Sequence, residues 1–262
     1  MNKNNILLSV RDLSVTVGDQ TSQKFLVDRA SFSVGAQKIV ALVGGSGSGK
    51  TTIGLSILRL LAPALRIQSG EVFFQNQNLL ELSIAQMRLL RGGDIAMVFQ
   101  EPLYAFNPVF TIEQQIDEVL MVHTPLSPND RRKNILNVLD KAGIVDAKRV
   151  ARSYPHQLSG GMRQRAMIAQ AIACEPKLII ADEPTSNLDV TRQALIMELF
   201  RKLKDELKLS ILIISHDLGM VEHLADEVVV LQKGTVVEMG TTQEVLQNPR
   251  HEYTRQLMNA VR

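Results

Sequence analysis

Nine consecutive residues, Gly44-Gly45-Ser46-Gly47-Ser48-Gly49-Lys50-Thr51-Thr52, have the types and spacing to hold a phosphate chain. They fit G-x-x-x-x-G-K-[ST], with Gly44, Gly49, Lys50 and Thr51 in the fixed places. A phosphate chain carries several negative charges and must be wrapped closely. Glycine removes the Cβ atoms that would hold the backbone away. Consecutive N–H groups can then point inward, and a following helix adds its positive N-terminal end. Lys50 brings a full charge for the outer phosphates, and the Thr51 hydroxyl is placed to ligate Mg²⁺. A flexible Gly/Ser turn is the bland alternative, and the flanks argue against it. Ile39–Val43 ahead of the loop is an unbroken apolar run. Thr52–Leu61 behind it carries Ile53, Ile57, Leu58, Leu60 and Leu61 at helical spacing.

Other residues could complete the chemistry. Leu178–Ala181 is an apolar run that ends in two carboxylates, Asp182 and Glu183. An Asp at such a strand end, in a domain with a phosphate loop, faces Mg²⁺. Glu183, one residue on, can accept a proton from an attacking water. Standing alone the pair would be a solvated acidic turn before Pro184; the Gly44–Thr51 loop favours the chemical role. Ser159 is a natural N-cap, and Gly160 and Gly161 open a helix behind it. That makes a second anion-binding N-terminus, or else an ordinary cap. His216 follows Leu212-Ile213-Ile214, and Gln100 follows Ile95–Phe99. Strand ends of one sheet would bring His216 to the γ-phosphate and the Gln100 amide oxygen to Mg²⁺. Taken singly, each is a plain polar residue at a strand end.

The elements that must position these groups can be read from the pattern. Ile39–Val43, Ile95–Phe99, Leu178–Ala181, Ile211–Ile214 and Val228–Leu231 are short apolar runs without alternation, as in strands covered on both faces. Helical patterns between most of them predict a largely parallel α/β sheet. Leu7–Val17, Phe25–Val34 and Glu71–Phe74 predict an antiparallel patch beside it. From about Phe106 to Pro155 no strand pattern occurs. Thr111-Ile112-Glu113-Gln114 is a capping box, Ser127-Pro128 a helix start and Gly143 a stop, so this stretch is predicted to be a helical insertion.

The 262 residues, 45% hydrophobic and 21% charged, suit one large domain or two small ones. A net charge of +2 gives no strong field for nucleic acid. The single cysteine, Cys174, excludes an intramolecular disulfide and fits a reducing compartment. It sits in a run, Met167–Cys174, that reads as buried helix, so a reactive thiol is not expected. Ile6-Leu7-Leu8 is too short for a signal peptide despite Lys3, and no apolar stretch is long enough to span a bilayer. Any membrane role is expected to come through a partner.

Gly44–Thr51, Gln100, Leu158–Gln164, Ile179–Glu183 with Ser186-Asn187-Leu188-Asp189, and His216, in that order, resemble the ATP-binding subunits of ABC transporters. The resemblance runs over nearly the whole chain. It implies a P-loop cassette: a RecA-like, mostly parallel α/β core over 1–105 and 156–245, an N-terminal antiparallel β patch, a helical insertion over 106–155 and a tail over 246–262. It implies ATP and Mg²⁺ as ligands. ATP would be held by Gly44, Gly45, Ser46, Gly47, Ser48, Gly49, Lys50, Thr51 and Thr52, with Gln100, Ser159, Gly160, Gly161, Gln164 and Asp189. The metal residues would be Thr51, Gln100 and Asp182, and the catalytic ones Glu183 and His216. It also implies two such chains packed head to tail, with ATP between Gly44–Thr51 of one and Ser159–Gly161 of the other.

Gln100–Ile112 and the tail Asn248–Leu257 look more narrowly like the peptide/nickel importer group, as do Tyr154–Leu158 and Ala181–Val190. Glu252 departs from the proline most members carry there. Members use two non-identical ATPase subunits, two multi-spanning membrane subunits and a solute-binding protein, at the cytoplasmic face of the inner membrane. The cargo, peptide or nickel chelate, stays open. A soluble iron–sulfur assembly ATPase is the competing class. Many family members place an aromatic under the adenine; near Val15–Val17 there is none, and Phe25 is the nearby candidate. Glu101–Val109 is expected to dock on a membrane subunit, with Tyr104, Phe106 and Val109 as exposed apolar residues.

Overall fold

The computed structural model describes residues 5–18, 23–186 and 188–261. The first stretch holds β1 (Ile6–Val17), β2 (Lys24–Gly35), β3 (Ile39–Val43), α1 (Lys50–Ile57), β4 (Leu65–Phe74), β5 (Gln77–Asn78) and α2 (Ile84–Leu90). Then come β6 (Ile95–Val98), α3 (Pro102–Ala105), α4 (Ile112–His123), α5 (Pro128–Lys141) and α6 (Ala147–Arg152). α7 (Gly160–Ile172), β7 (Leu178–Asp182) and α8 (Val190–Leu207) follow. The last stretch is β8 (Ser210–Ser215), α9 (Leu218–Leu224), β9 (Glu227–Gln232), β10 (Thr235–Thr241), α10 (Thr242–Gln247) and α11 (Glu252–Val261). Contacts group these into two units, 1–87 with 210–262, and 88–209.

In the first unit, strands in the order β2-β1-β4-β5 form the expected antiparallel patch. β4 starts at Leu65 rather than Glu71, because backbone pairing with β1 carries the polar residues Arg66 and Ser69 into the ladder. β3 lies between β8 and β9 and runs parallel to both, while β10 pairs antiparallel to β9. Every residue of β3 and of β8 is buried, as a strand covered on both faces must be. The register pairs Val43 with Ser215 on one side and Val230 on the other. Gly44 and His216 therefore leave neighbouring strands at one edge, beside Leu231 near the end of β9. α1 is shorter than the Thr52–Leu61 pattern predicts. It stops at Ile57, because Arg59 turns left-handed at φ 52° and Leu60 is left exposed.

In the second unit, β6 and β7 pair in parallel with Val98 opposite Ala181, so Gln100 and Glu183 follow the same edge. The helices between them start where the sequence says. Thr111 caps α4 in a reciprocal box with Gln114, and Ser127 caps α5 with Pro128 in the first turn. Gly143, at φ 76°, ends α5. α7 packs on β6 and α5 through an inner face that includes Ala166, Ile168, Ala169 and Ile172. Among the described residues of 106–155 there is no strand.

Candidate nucleotide site

The phosphate loop leaves β3 and enters α1 with no room for a side chain at Gly44 or Gly49. A Cβ on Gly44 would run into the Leu231 carbonyl oxygen, and one on Gly49 would come within 2.7 Å of the Leu26 carbonyl oxygen. Gly49 also caps α1 at φ 102°, a conformation L side chains rarely adopt. The loop is tied down at both ends: Ser48 N–H donates to Gly45 O over 3.2 Å, and Gly234 N–H to Ser48 O over 2.9 Å. Lys50 is only 5% exposed, and its Nζ donates to Gly44 O at 2.9 Å and Gly45 O at 3.0 Å. The Ser48 hydroxyl is buried with no hydrogen-bond partner. Ser46, Gly47 and Thr51 are exposed, and Thr52 is half-buried. A buried ammonium beside a Gly-rich backbone at a helix N-terminus is an anion cradle, so these residues fit the phosphates of a nucleotide. His216 is exposed just past β8, and Asp217 behind it caps α9 by accepting Met220 N–H.

The carboxylates sit in the second unit. Asp182 is 3% exposed at the end of β7. Glu183 follows in the left-handed region at φ 43°, which is uncommon for a side chain of its size and typical of strained functional positions. Gln100 Nε2 donates to Glu183 Oε2 at 3.3 Å, so the parallel pairing of β6 and β7 has brought these two predicted residues together. Gln100 also lines a cleft of about 240 Å³ with Glu101, Gly160, Gln164 and Pro184. Gln164 is buried there with its Nε2 unpartnered. Ser159 caps α7 by accepting Met162 N–H at 3.3 Å. Asp189 caps α8 through Arg192 N–H, and Asn187 lies outside the described residues. As oxygen donors, Thr51, Gln100 and Asp182 are of the type Mg²⁺ takes.

A family model described as "ABC transporter" matches residues 27–186. The chain belongs to the ABC transporter ATP-binding family. The cassette is 48% identical to the "Peptidoglycan transport ATP-binding protein YejF" of Agrobacterium fabrum, over 97% of its own length and 47% of that protein's. It therefore spans about half of that relative. It is 41% identical to the "Dipeptide transport ATP-binding protein DppD" of Bacillus subtilis, over 97% of its length and 76% of that protein's. Among solved structures, the ATP-binding cassette MJ0796, a dimer bound to ADP and Pi, superposes with a TM-score of 0.80 at 27% identity, over 90% of this chain and 98% of that one. The ATP-binding α/β cassette fold expected from the sequence is thus present, and the transporter names favour it over the iron–sulfur assembly class.

The cassette corrects one expectation and adds one contact. In the segment after Gln100, Tyr104 is 85% exposed and Val109 69%, but Phe106 is buried at 3%. The α3 turn points Phe106 inward, while Gln115 braces the loop beyond it by bonding Asn107 N–H and the carbonyls of Asn107 and Phe110. Leu103 and Phe110, not Phe106, join Tyr104 and Val109 on the surface. Phe25 is half exposed on β2, next to Leu26 against Gly49. Sequence reasoning missed Tyr253, whose hydroxyl oxygen accepts the Gly45 N–H at 2.9 Å; only the likeness of the tail to a family segment drew attention to its surroundings. Burial pushes the Cys174 thiol up to about 11, in keeping with an unreactive cysteine.

Proposed function

We propose that this cassette binds and hydrolyses ATP to drive a peptide importer. The observation that carries the ATP half is the loop itself, where neighbouring carbonyls enforce glycine at Gly44 and Gly49 and Lys50 is buried against the loop backbone. The cargo half is supported by the dipeptide-transport name of the Bacillus subtilis relative, which favours peptide over nickel.

The roles follow from residue chemistry. Loop N–H groups and Lys50 bind and orient the phosphates. Glu183 takes a proton from the attacking water, and the Gln100 amide holds its carboxylate in place. His216 serves the γ-phosphate side. Thr51, Gln100 and Asp182 would hold Mg²⁺, which supplies charge neutralisation on the phosphates when bound.

Ser159–Gly161 serve a nucleotide held by a second, non-identical ATPase subunit. A Cβ on Gly160 would meet nothing within 4 Å, which supports a face that waits for another molecule. The exposed apolar set Leu103, Tyr104, Val109 and Phe110 docks on one of two membrane subunits, with a solute-binding protein completing the complex. Among the described residues no helix is long and apolar enough to cross a membrane, so the cassette would lie peripherally on the cytoplasmic face through those subunits.

Reconstitution with its membrane subunits and partner ATPase in liposomes tests this. Peptide with binding protein should stimulate ATP hydrolysis and accumulate inside. Hydrolysis that ignores every peptide while responding to nickel chelates would overturn the cargo assignment. Absence of hydrolysis in the full complex would overturn the enzyme.

A further inference from the structure

The tail touches the phosphate loop, and none of the roles above uses that contact. The Gly45 N–H donates to the Tyr253 hydroxyl oxygen at 2.9 Å. The same peptide group is held at its other end, where Lys50 Nζ donates to Gly44 O at 2.9 Å. This peptide joins two glycines, the residues that resist rotation least. Turning it over would aim its N–H at an ammonium, which has donors and no acceptor. It would also take that N–H away from Tyr253. Lysine thus selects the carbonyl's direction and tyrosine holds the amide.

Tyr253 is itself latched. On β10, the two Glu238 carboxylate oxygens accept the Arg250 N–H at 2.7 Å and the His251 N–H at 3.0 Å. The Tyr253 N–H donates to His251 Nδ1 at 3.2 Å. Burial pushes the Glu238 carboxyl up, but the Thr254 side chain and the two N–H donors outweigh it and keep it below the usual carboxylate range. Glu252 opens α11, where the helix's positive end favours an acid; proline, which the related tails carry, suits the same first position.

We propose that Tyr253 is a positioning residue for the nucleotide: latched to β10 through Glu238, it fixes the Gly44–Gly45 peptide so that the loop is set before ATP arrives. The proposal rests on reading Gly44–Thr51 as the ATP phosphate site. Fixing a loop in its binding conformation raises affinity by lowering the ordering cost of binding.

The test uses the purified chain, with ATP affinity by calorimetry, Gly45 amide exchange and thermal melting. Loss of one hydrogen bond in Tyr253→Phe should weaken ATP binding about three- to tenfold and speed Gly45 exchange. Glu238→Gln should do the same to a smaller degree, and carries the test if Tyr253→Phe fails to fold. A lower melting temperature with unchanged ATP affinity and unchanged Gly45 exchange would overturn the proposal and leave Tyr253 as a packing residue. Wild-type chain that binds no ATP, with Lys50→Ala indistinguishable from it, would instead overturn the phosphate-site reading and the tail proposal with it.

Discussion

Two glycine-bearing segments of this molecule use glycine for opposite reasons. At Gly44 and Gly49 the chain's own carbonyls occupy the space a Cβ would need. At Gly160 that space is empty, and at Gly161 the nearest atom is Arg192 Cδ at 3.7 Å. The first segment is finished by its own fold: strand, loop, Lys50 and Tyr253 close on one another. The second is capped by Ser159 and otherwise open. A glycine that the fold does not require is best explained by something outside the chain that comes close. The phosphate loop should therefore behave as a property of the single chain, and Ser159–Gly161 as a property of the assembly.

The largest expected effect separates binding from turnover. Glu183→Gln keeps the side chain's shape and its contact with Gln100 while removing the proposed base. Turnover in the assembled complex should fall by about 10²- to 10⁴-fold, the range for a lost general base. ATP binding by the isolated chain, measured by calorimetry, should stay within about twofold, because Glu183 is not part of the closed loop. A variant that still hydrolyses at the wild-type rate would assign the base elsewhere. One that loses ATP binding would mean that the closed loop is not sufficient alone.

The same contrast of closed and open recurs within a few residues of the segment proposed to dock. Phe106 is buried and Tyr104 is the most exposed of its neighbours. Phe106→Asp should destabilise the chain by at least about 3 kcal/mol, the scale for emptying a buried aromatic site, and so lower its melting temperature. Tyr104→Asp should leave melting within about 0.5 kcal/mol of wild type. Transport in proteoliposomes should nevertheless drop with Tyr104→Asp. If it does not, this exposed apolar set is not the contact with the membrane subunits.

How much of this could be read from the sequence depended on whether the information was local. The phosphate loop, the acidic strand end and the caps at Thr111 and Ser127 were legible because each is written within a few residues. The buried strands β3, β7 and β8 were legible because full burial forbids polar interruptions. β10 was not, since Thr235–Thr241 pairs with β9 while remaining half exposed and carries Glu238 and Gly240 in its run. The inward turn of Phe106 depends on which way a single helical turn faces, which no spacing rule over four residues can fix. Tyr253 was the furthest from reach. Its partner Gly45 is 208 positions away, and a lone tyrosine in a polar tail carries no pattern of its own.

Alanine placed at the two kinds of glycine sharpens the comparison directly. Gly44→Ala must displace Leu231 backbone, so it should cost about 1–3 kcal/mol, as overpacking does, and weaken ATP binding by the single chain. Gly160→Ala fills open space in the first turn of α7, and alanine is the better helix former. Its melting should match wild type within about 0.5 kcal/mol or rise slightly. Hydrolysis by the assembled complex should still fall. An unaltered complex would mean that nothing approaches Gly160 closely and that the composite arrangement needs revision.

The smallest effect is expected just past the end of α7, at Cys174. Its thiol is half-buried, and burial without a cationic neighbour raises its pKa to about 11. The sign of the pH effect follows. In the unfolded chain a thiol ionises near 8.5, so the folded state is the one that holds the proton longer. Stability from this group is complete below that value and is lost as the pH climbs through about 11. A Cys174→Ser comparison of melting against pH should therefore show the two chains running parallel to about pH 8 and converging or crossing only above it. Thiol labelling by a disulfide reagent should be slow at pH 7 and rise steeply toward pH 10, because the thiolate is the attacking form. Rapid labelling at pH 7 would place a cation near the sulfur that the fold does not supply, and would reopen a redox role for this residue.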